Sequence, residues 1–358
     1  MNINNKQIIF AREYRGYSQT ELASKIVGLS QSNLSKYEKG VGTLSSEVLN
    51  RIINFLEFPA AFFEKRISNV VVNTHYRSKK CTTKQERSQI DFSNKLIGYI
   101  IDQMGESVVF PEMSLRTIDL EDGFTPEEAA QYTRRFLGLR DEPVRNICSL
   151  IEGCGVIIVE QDCDTDSFDG VSFVTDAGYY VIIVNRNASN DRKRFTLAHE
   201  LGHIIMHTSK QVVIPNYRDV EEEAHQFAAE FLMPADEIAN SLRGLKLQYL
   251  GELKRHWLTS MASIIHRARK LDCINSERYK YLNIEFSRKG YKKNEPIDVY
   301  IDTPTVFRQA HTLHKEELAY SDEELGVAFS LPIDVLNRFC RPSSNLKLKM
   351  YSKQIESL

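Results

Sequence analysis

Residues 194–207 read RFTLAHELGHIIMH and place His199 and His203 four positions apart, with Glu200 between them. An α-helix turns about 100° per residue, so imidazoles four positions apart lie on one face and can bind the same ion. Glu200 projects beside that face, where its carboxylate can act as a base without occupying the metal. Zn²⁺ binds neutral imidazole and lowers the pKa of a coordinated water to about 7. The stretch therefore predicts a helix that carries a Zn²⁺ site.

A catalytic zinc needs a third protein ligand, and residues 218–234, RDVEEEAHQFAAEFLMP, predict a second helix rich in carboxylates. Ala224 and Ala228 mark the face of this helix that can pack closely against another helix. Glu221 precedes these two alanines by three and seven residues, so it shares their face. Glu222 is the alternative third ligand. Glu223 and Glu230 diverge from that face.

Together the two stretches resemble the ImmA/IrrE family of metallopeptidases over about residues 122–234. In that family an HExxH helix is followed by a helix that begins E-x-x-A-[ND]-x-F-A and ends in L-M-P. The first glutamate of the second helix is the third zinc ligand. The resemblance thus implies His199, His203 and Glu221 as ligands and Glu200 as the general base.

Two histidines near this pattern need a separate interpretation. His225 stands where the family usually has Asn or Asp, which predicts an altered partner around the ligands. His207 lies one turn beyond His203, but three ligands and a water already fill a catalytic zinc site. We interpret His207 as a packing or supporting residue.

Near the amino terminus, residues 18–40 read SQTELASKIVGLSQSNLSKYEKG and predict two short helices joined by a turn. Ser18 is followed three residues later by Glu21, which is a capping-box pattern, and the second segment begins at Ser30 and ends at Gly40. The stretch resembles the helix-turn-helix of phage-repressor-like (XRE) regulators. In that motif the second helix enters the major groove and presents its first residues to base edges.

The helix-turn-helix resemblance implies which side chains contact double-stranded DNA. Leu34 and Tyr37 are expected to face inward, and Gln19 is expected to bind a phosphate. The connection over residues 26–29 is one residue longer than usual. Such modules normally bind palindromic operators as dimers, so we expect a homodimer. The residues expected to reach bases or phosphates from the second helix are Gln31, Ser32, Asn33, Ser35 and Lys36.

Charge is unevenly distributed along the 358 residues, although the formal net charge is only −2. The first hundred residues carry about +7 and the remainder about −9, which fits nucleic-acid contact at one end. No run of 18 apolar residues is present, and the amino terminus does not read as a secretory signal, so no membrane span is expected. The six scattered cysteines lack a CxxC pair and favour free thiols and a cytoplasmic location.

The chain is predicted to be an α+β multidomain protein. The predicted units are an all-α helix-turn-helix bundle over 1–66, a helical connector over 67–121, a zincin-like domain over 122–243, and a mainly helical region of mixed α/β elements over 244–358. In the central domain, ICSLIEGCGVIIVEQD predicts a helix followed by a strand, and GVSFVTDAGYYVIIVN predicts a hairpin with a buried second strand. The last region is a candidate for partner binding or dimerisation.

These patterns predict a DNA-binding transcriptional regulator with a zinc-dependent peptidase domain that cleaves or controls a repressor-like or co-encoded protein. The first alternative is a repressor or antitoxin whose peptidase-like domain senses or binds a partner without cleaving it. A further alternative is a metal- or redox-sensing switch, in which chelators would change operator affinity.

Overall fold

The computed structural model describes residues 3–67, 75–76, 83–162, 168–208 and 214–340. Cys81, Cys163 and the basic residues of the connector between 77 and 82 lie outside the described residues. The described cysteines are all free thiols, as predicted: Cys148, Cys154, Cys273 and Cys340.

Four helices form the amino-terminal bundle: α1 Asn5–Tyr14, α2 Gln19–Lys25, α3 Gln31–Glu38 and α4 Ser46–Leu56. Helices α2 and α3 begin directly after the predicted residues Ser18 and Ser30. The Ser18 hydroxyl and the Glu21 carboxylate form the expected reciprocal capping box at the start of α2. The turn between α2 and α3 contains Gly28 at φ +82°, a left-handed conformation that a side chain would strain. Leu34 and Tyr37 are buried, as predicted.

A buried ion pair joins α1 to α3 inside this bundle. Arg12 donates from Nε and Nη2 to the two carboxylate oxygens of Glu38, at 2.7 and 2.9 Å. Both side chains are only 4% exposed. The paired charges and the parallel, two-point geometry fix the orientation of α3 relative to α1.

Four strands form one mixed sheet with the order β1-β3-β4-β2: β1 His75–Tyr76, β2 Val156–Gln161, β3 Phe168–Val174 and β4 Tyr180–Asn185. The predicted hairpin is confirmed, because β3 and β4 pair antiparallel and β4 is almost wholly buried. Two further strand pairings were not predicted from the sequence. Strand β2 runs parallel to β4, and β1, which comes from the connector, pairs antiparallel with the outer side of β3.

Helices cover both faces of the sheet, and five of them frame the central region: α5 Lys84–Gly105, α6 Pro126–Phe136, α7 Ile147–Glu152, α8 Asn190–His207 and α9 Val220–Leu232. Strand alternation divides the buried residues between two hydrophobic clusters. Ile157 and Ile183 pack with α5 and the amino-terminal bundle, whereas Ile158 and Ile182 pack with α8 and α9. The sheet therefore separates the amino-terminal bundle from the helices that carry the HExxH sequence.

The carboxy-terminal region consists of helices in its described part, residues 244–340, where no strand occurs. Helix α10 Ala235–Leu242 directly precedes this region. The helices within it are α11 Leu250–Trp257, α12 Met261–Lys270, α13 Ser276–Arg288, α14 Val306–Glu316, α15 Asp322–Phe329 and α16 Ile333–Cys340. The expectation of mixed α/β elements is therefore wrong for this part, although the mainly helical character is confirmed.

Side chains, and not strand pairing, anchor the irregular segment between α13 and α14. Asp302 accepts hydrogen bonds from the backbone N–H groups of Cys148 and Ser149 at 3.0 and 2.7 Å. Glu152 accepts from the backbone of Thr305 and Val306. These hydrogen bonds satisfy backbone N–H groups at the start of α7 and in the segment itself, without a partner strand.

Helix α16, the last helix among the described residues, packs against the helix-turn-helix bundle. Arg15, which directly follows α1, forms an ion pair with Asp334 of α16, and the rings of Tyr14 and Phe339 lie 6.4 Å apart. Both rings belong to the cluster that includes α5 and one face of the sheet. Within the described residues, no helix is long and apolar enough to cross a membrane.

Candidate metal centre

Helix α8 brings the two histidines of the HELGH sequence together on one face. The Nε2 atoms of His199 and His203 lie 3.1 Å apart, and both residues are buried at 6% and 2% exposure. Two imidazole nitrogens at this separation can bind one ion, as ligands of a shared metal do.

Helix α9 supplies the third candidate donor, a carboxylate oxygen of Glu221. Glu221 lies 3.7 Å from His199 Nε2 and 3.5 Å from His203 Nε2. Asp219 caps α9 by accepting from the backbone N–H of Glu221 and of Glu222, which fixes the first turn of the helix. Glu222 points away and pairs with Lys270 at 2.9 Å. Of the two candidate third ligands, the structure thus brings Glu221 to the histidines.

The donor set fits a zinc ion. One atom each of His199, His203 and Glu221 lies within 4.8 Å of the others, and two imidazole nitrogens with one carboxylate oxygen form a known catalytic zinc set. The close packing of α8 on α9 depends on Gly202, where a Cβ would meet the Phe227 ring at 3.0 Å. Two helices therefore hold the three donors at a fixed separation.

The sheet positions Glu200. The hydroxyl of Ser172 on β3 donates to Glu200 Oε2 at 2.7 Å, and the Glu200 side chain is 1% exposed. The hydrogen bond restrains one carboxylate oxygen beside the paired histidines. Ser172 was not predicted, since nothing local in the sequence links a hydroxyl on a strand to a carboxylate 28 residues away.

His207 supports the centre as predicted, through a buried relay of hydrogen bonds. His203 Nδ1 lies 2.9 Å from His207 Nδ1, and His207 Nε2 lies 2.8 Å from the Glu223 carboxylate. Arg218 donates to both oxygens of that carboxylate at 2.8 Å. An ionised Glu223 only accepts, so His207 donates from Nε2 and accepts at Nδ1. His203 then carries its proton on Nδ1 and leaves Nε2 bare for a metal.

The electrostatics of the relay agree with these protonation states. Burial lowers the pKa of His207 below its ordinary value, and the Glu223 carboxylate opposes this only in part. Burial raises the pKa of Glu223, but hydrogen bonds from Arg218 and His207 outweigh it and hold the pKa below the usual range. At neutral pH, His207 is therefore uncharged and Glu223 is ionised.

His225, the departure from the family pattern, lies beside the candidate ligands. Its Nδ1 is 2.7 Å from the backbone oxygen of Glu221, and its ring centroid is 4.6 Å from that of His199. The ring also contacts Phe195. His225 thus braces the first turn of α9 against α8.

The centre opens into a cleft of about 1150 Å³. One wall is formed by α8 and α9, and the opposite wall by α12 and residues 286–299 of the carboxy-terminal region. That second wall carries both charged and apolar groups, among them Lys270, Phe286 and Lys292. A cleft of this volume has room for several residues of a peptide.

Arg194, the first residue of the RFTLAHELGH stretch, anchors α8 and was missed by sequence reasoning. It is fully buried and donates to the backbone oxygens of Val144, Arg145 and Leu258. Burial lowers its pKa to about 10, so it remains cationic at neutral pH. The sequence could have indicated this role, because an arginine buried in an apolar helix needs buried hydrogen-bond acceptors.

A second anchor joins α8 to the wall of the cleft. Lys254 is 2% exposed and its Nζ lies 2.8 Å from Asp191 and 2.6 Å from Glu295. Glu230, which was predicted to diverge from the alanine face of α9, pairs with buried Arg267 of α12. The carboxy-terminal helices are thereby fixed to the elements that carry the centre.

The predicted DNA-contacting residues occupy one exposed surface at the start of α3. Gln31, Ser32, Asn33 and Lys36 are exposed, and Ser35 is half-buried. The Gln19 amide, expected to bind a phosphate, donates to Glu38 at 2.6 Å and accepts from Gln31 at 3.0 Å. Gln19 therefore connects Gln31 to Glu38, the carboxylate of the buried Arg12–Glu38 pair.

Two family models match the chain. The model described as the IrrE N-terminal-like domain, of the M78 peptidases, matches residues 154–269, which starts and ends later than the predicted 122–243. The helix-turn-helix model matches residues 8–63. No curated protein sequence gives a significant match. The chain thus joins a helix-turn-helix domain to an IrrE-like peptidase-type domain in one polypeptide, as the two resemblances predict.

Proposed function

We propose that this protein is a DNA-binding transcriptional regulator whose central domain is a zinc-dependent peptidase acting on a repressor-like or co-encoded protein. The observation that carries the peptidase proposal is the convergence of His199, His203 and Glu221 from two helices, beside Glu200. The matches to the two domain families support the combination.

His199, His203 and Glu221 would hold the zinc ion. When bound, zinc supplies a Lewis acid that polarises a peptide carbonyl and makes water acidic enough to lose a proton near neutral pH. Glu200 takes a proton from the attacking water and delivers it to the departing amine. Ser172 keeps the Glu200 carboxylate oriented, and the cleft between α8, α9 and α12 holds the peptide.

The metal arm of the proposal is tested by zinc content. Purified wild type is expected to hold about one zinc ion per chain, as its three protein ligands imply, and His199→Ala or His203→Ala should remove it. Glu200→Gln is the matched variant, since it keeps the shape and should keep the zinc. A wild-type protein without zinc would refute the peptidase proposal.

The catalytic arm is tested on the protein encoded next to this chain. Zinc-loaded wild type should cut it, and Glu200→Gln should cut it at least ~100-fold more slowly, as loss of a general base predicts. If regulation in cells is unaltered by Glu200→Gln, the non-proteolytic repressor or antitoxin function replaces the proposal. The presence of His225 where the family has Asn or Asp motivates that alternative.

The DNA-binding part of the proposal concerns α3. We propose that the exposed surface of α3 contacts an operator. Asn33→Ala should weaken binding to the DNA upstream of its own gene by about 5- to 150-fold, the effect of losing a two-point base contact. Lys25→Ala, on the exposed end of α2, is the control and should change affinity little. Gel-shift titration at fixed salt measures both, and equal losses would argue against base recognition by α3.

A further inference from the structure

The edge of the sheet beside the metal centre is occupied by a strand from outside the central domain. Strand β1 lies antiparallel to β3, with His75 opposite Gly170 and Tyr76 opposite Phe168. Strand β4 pairs with the other side of β3, so β1 is the edge strand. It belongs to the connector that links the helix-turn-helix domain to the rest of the chain.

Strand β3 borders the catalytic carboxylate directly. Gly170 and Ser172 share one strand face, and Ser172 donates to Glu200. A Cβ built at Gly170 would lie 2.5 Å from Thr196 Cγ2 and 3.6 Å from Glu200 Cγ, so glycine allows β3 to lie on α8. Adjacent strands are about 5 Å apart, which places the His75 backbone within roughly 10 Å of the Glu200 carboxylate.

The outer edge of β3 is the position in which an extended peptide would be held for hydrolysis. Backbone N–H and C=O groups on a strand edge bind another strand through main-chain hydrogen bonds, with little dependence on sequence. Asp169, Thr196 and Glu200 line the same cleft, so this edge faces the metal centre. In this chain, β1 already lies there in the extended, antiparallel arrangement.

We propose that β1 is an intramolecular substrate, so that the chain hydrolyses a peptide bond made by His75 or Tyr76. This inference rests on the zinc-peptidase function proposed above and names a substrate for the same site. The reaction separates the helix-turn-helix domain, residues 8–63, from the peptidase-type domain that begins at residue 154.

The chemistry is ordinary peptide hydrolysis and consumes one water. The peptide C–N bond breaks, the water oxygen bonds to the carbonyl carbon and becomes part of a new carboxylate, and the amine nitrogen gains a proton. Glu200 carries that proton from the water to the nitrogen. No oxidant, reductant or nucleotide is required.

The products are expected to remain associated until they are denatured. The amino-terminal bundle packs on α5 and α16 through Phe10, Tyr14 and Phe339 and forms the ion pair between Arg15 and Asp334. The cut must therefore be read under denaturing conditions.

The first test is intact-mass spectrometry of zinc-loaded full-length protein after incubation at several concentrations. We expect two fragments whose masses add up to the chain plus one water, cut at one of the three peptide bonds that His75 and Tyr76 make. The rate should not depend on concentration, because the reaction is intramolecular. Glu200→Gln, which should retain zinc, is expected to be at least ~100-fold slower.

The second test needs neither metal nor activity. Hydrogen exchange of residues 168–170 is compared between wild type and the double variant His75→Pro/Tyr76→Pro, which lacks both β1 N–H donors. Exchange in β3 should become at least several-fold faster, whereas His75→Ala/Tyr76→Ala keeps the backbone donors and should leave it unchanged. Unchanged exchange in the proline variant would refute the pairing and the proposal with it.

The outcomes separate this inference from the function on which it rests. An intact chain that has bound zinc, or a cut elsewhere, overturns the self-hydrolysis and leaves the zinc-peptidase proposal standing, with β1 only covering the edge. A wild-type chain without zinc overturns both. Cleavage that rises with protein concentration shows reaction between molecules and overturns the intramolecular assignment.

Discussion

Individual side chains decide whether the centre can hold zinc, and His207 is the clearest case. The relay through His207 to Glu223 and Arg218 keeps the His203 Nε2 atom bare at neutral pH. Partners of this kind orient ligands and typically change metal affinity by about 10- to 100-fold. We therefore expect the centre to depend on residues beyond the three proposed ligands.

His207→Phe keeps the ring volume but removes the relay, so we expect zinc affinity to fall by about 10- to 100-fold. Competition against a zinc chelator measures the change. His256→Phe replaces an exposed histidine on α11 and should leave the affinity as in wild type. If both variants bind zinc equally well, the relay does not support the ligand.

The Arg12–Glu38 pair shows the same dependence inside the helix-turn-helix bundle. Glu38→Gln removes the buried carboxylate and leaves Arg12 only the partly exposed Glu13 as an ion-pair partner, so it should lower the free energy of unfolding by about 3 kcal/mol. Glu47→Gln breaks an exposed pair with Arg51 and should cost at most about 0.5 kcal/mol. Urea denaturation of both variants checks the difference, and equal losses would contradict the role of burial.

At the scale of elements, the centre is a property of the packing of α8 on α9. HELGH predicts the α8 ligands because spacing along a helix is fixed, and spacing favoured Glu221 as the third ligand but left Glu222 as an alternative. In the structure Glu221 lies close to both histidines, whereas Glu222 pairs with Lys270. Both depend on neighbours that the local pattern does not specify.

Gly202→Ala tests the separation of these helices. The added Cβ would contact Phe227 at 3.0 Å, so Phe227 must shift by a few tenths of an ångström, and we expect a loss of about 1–3 kcal/mol in stability together with weaker zinc binding. Gly202→Ala/Phe227→Leu makes room and should recover part of both. Thermal unfolding and zinc titration follow the two effects; an Ala variant with wild-type values would show that the contact is not limiting.

At the scale of the whole molecule, the regions along the chain share hydrophobic cores. Residues of the amino-terminal bundle, α5, one face of the sheet and α16 belong to one cluster, and the other face of the sheet joins α8, α9 and the middle helices. The helix-turn-helix domain is thus coupled by packing to elements more than 300 residues away in sequence.

Phe339→Ala should destabilise the amino-terminal bundle, although Phe339 lies far from that bundle in the sequence. The ring is 7% exposed and contacts Tyr14, so its loss should cost about 3 kcal/mol and speed hydrogen exchange in α1. Ile333→Ala, at 38% exposure on the same helix, is the control and should have little effect. Unchanged exchange in α1 would show that the two regions are energetically independent.

The sequence by itself determined the local features. Helix spacing predicted the HELGH face, the cap at Ser18 predicted where α2 begins, and the stretch GVSFVTDAGYYVIIVN predicted the β3–β4 hairpin. Each of these depends on residues close together in the chain, where backbone geometry fixes which side chains are neighbours.

Only the tertiary structure decided the rest. It brought Glu221 to the histidines, Ser172 to Glu200, β1 to the open edge of β3, and α16 to the helix-turn-helix bundle. These contacts join residues from about 20 to more than 300 positions apart. They follow from which buried faces pack together, and many distant segments carry faces of suitable composition, so local pattern could not select among them.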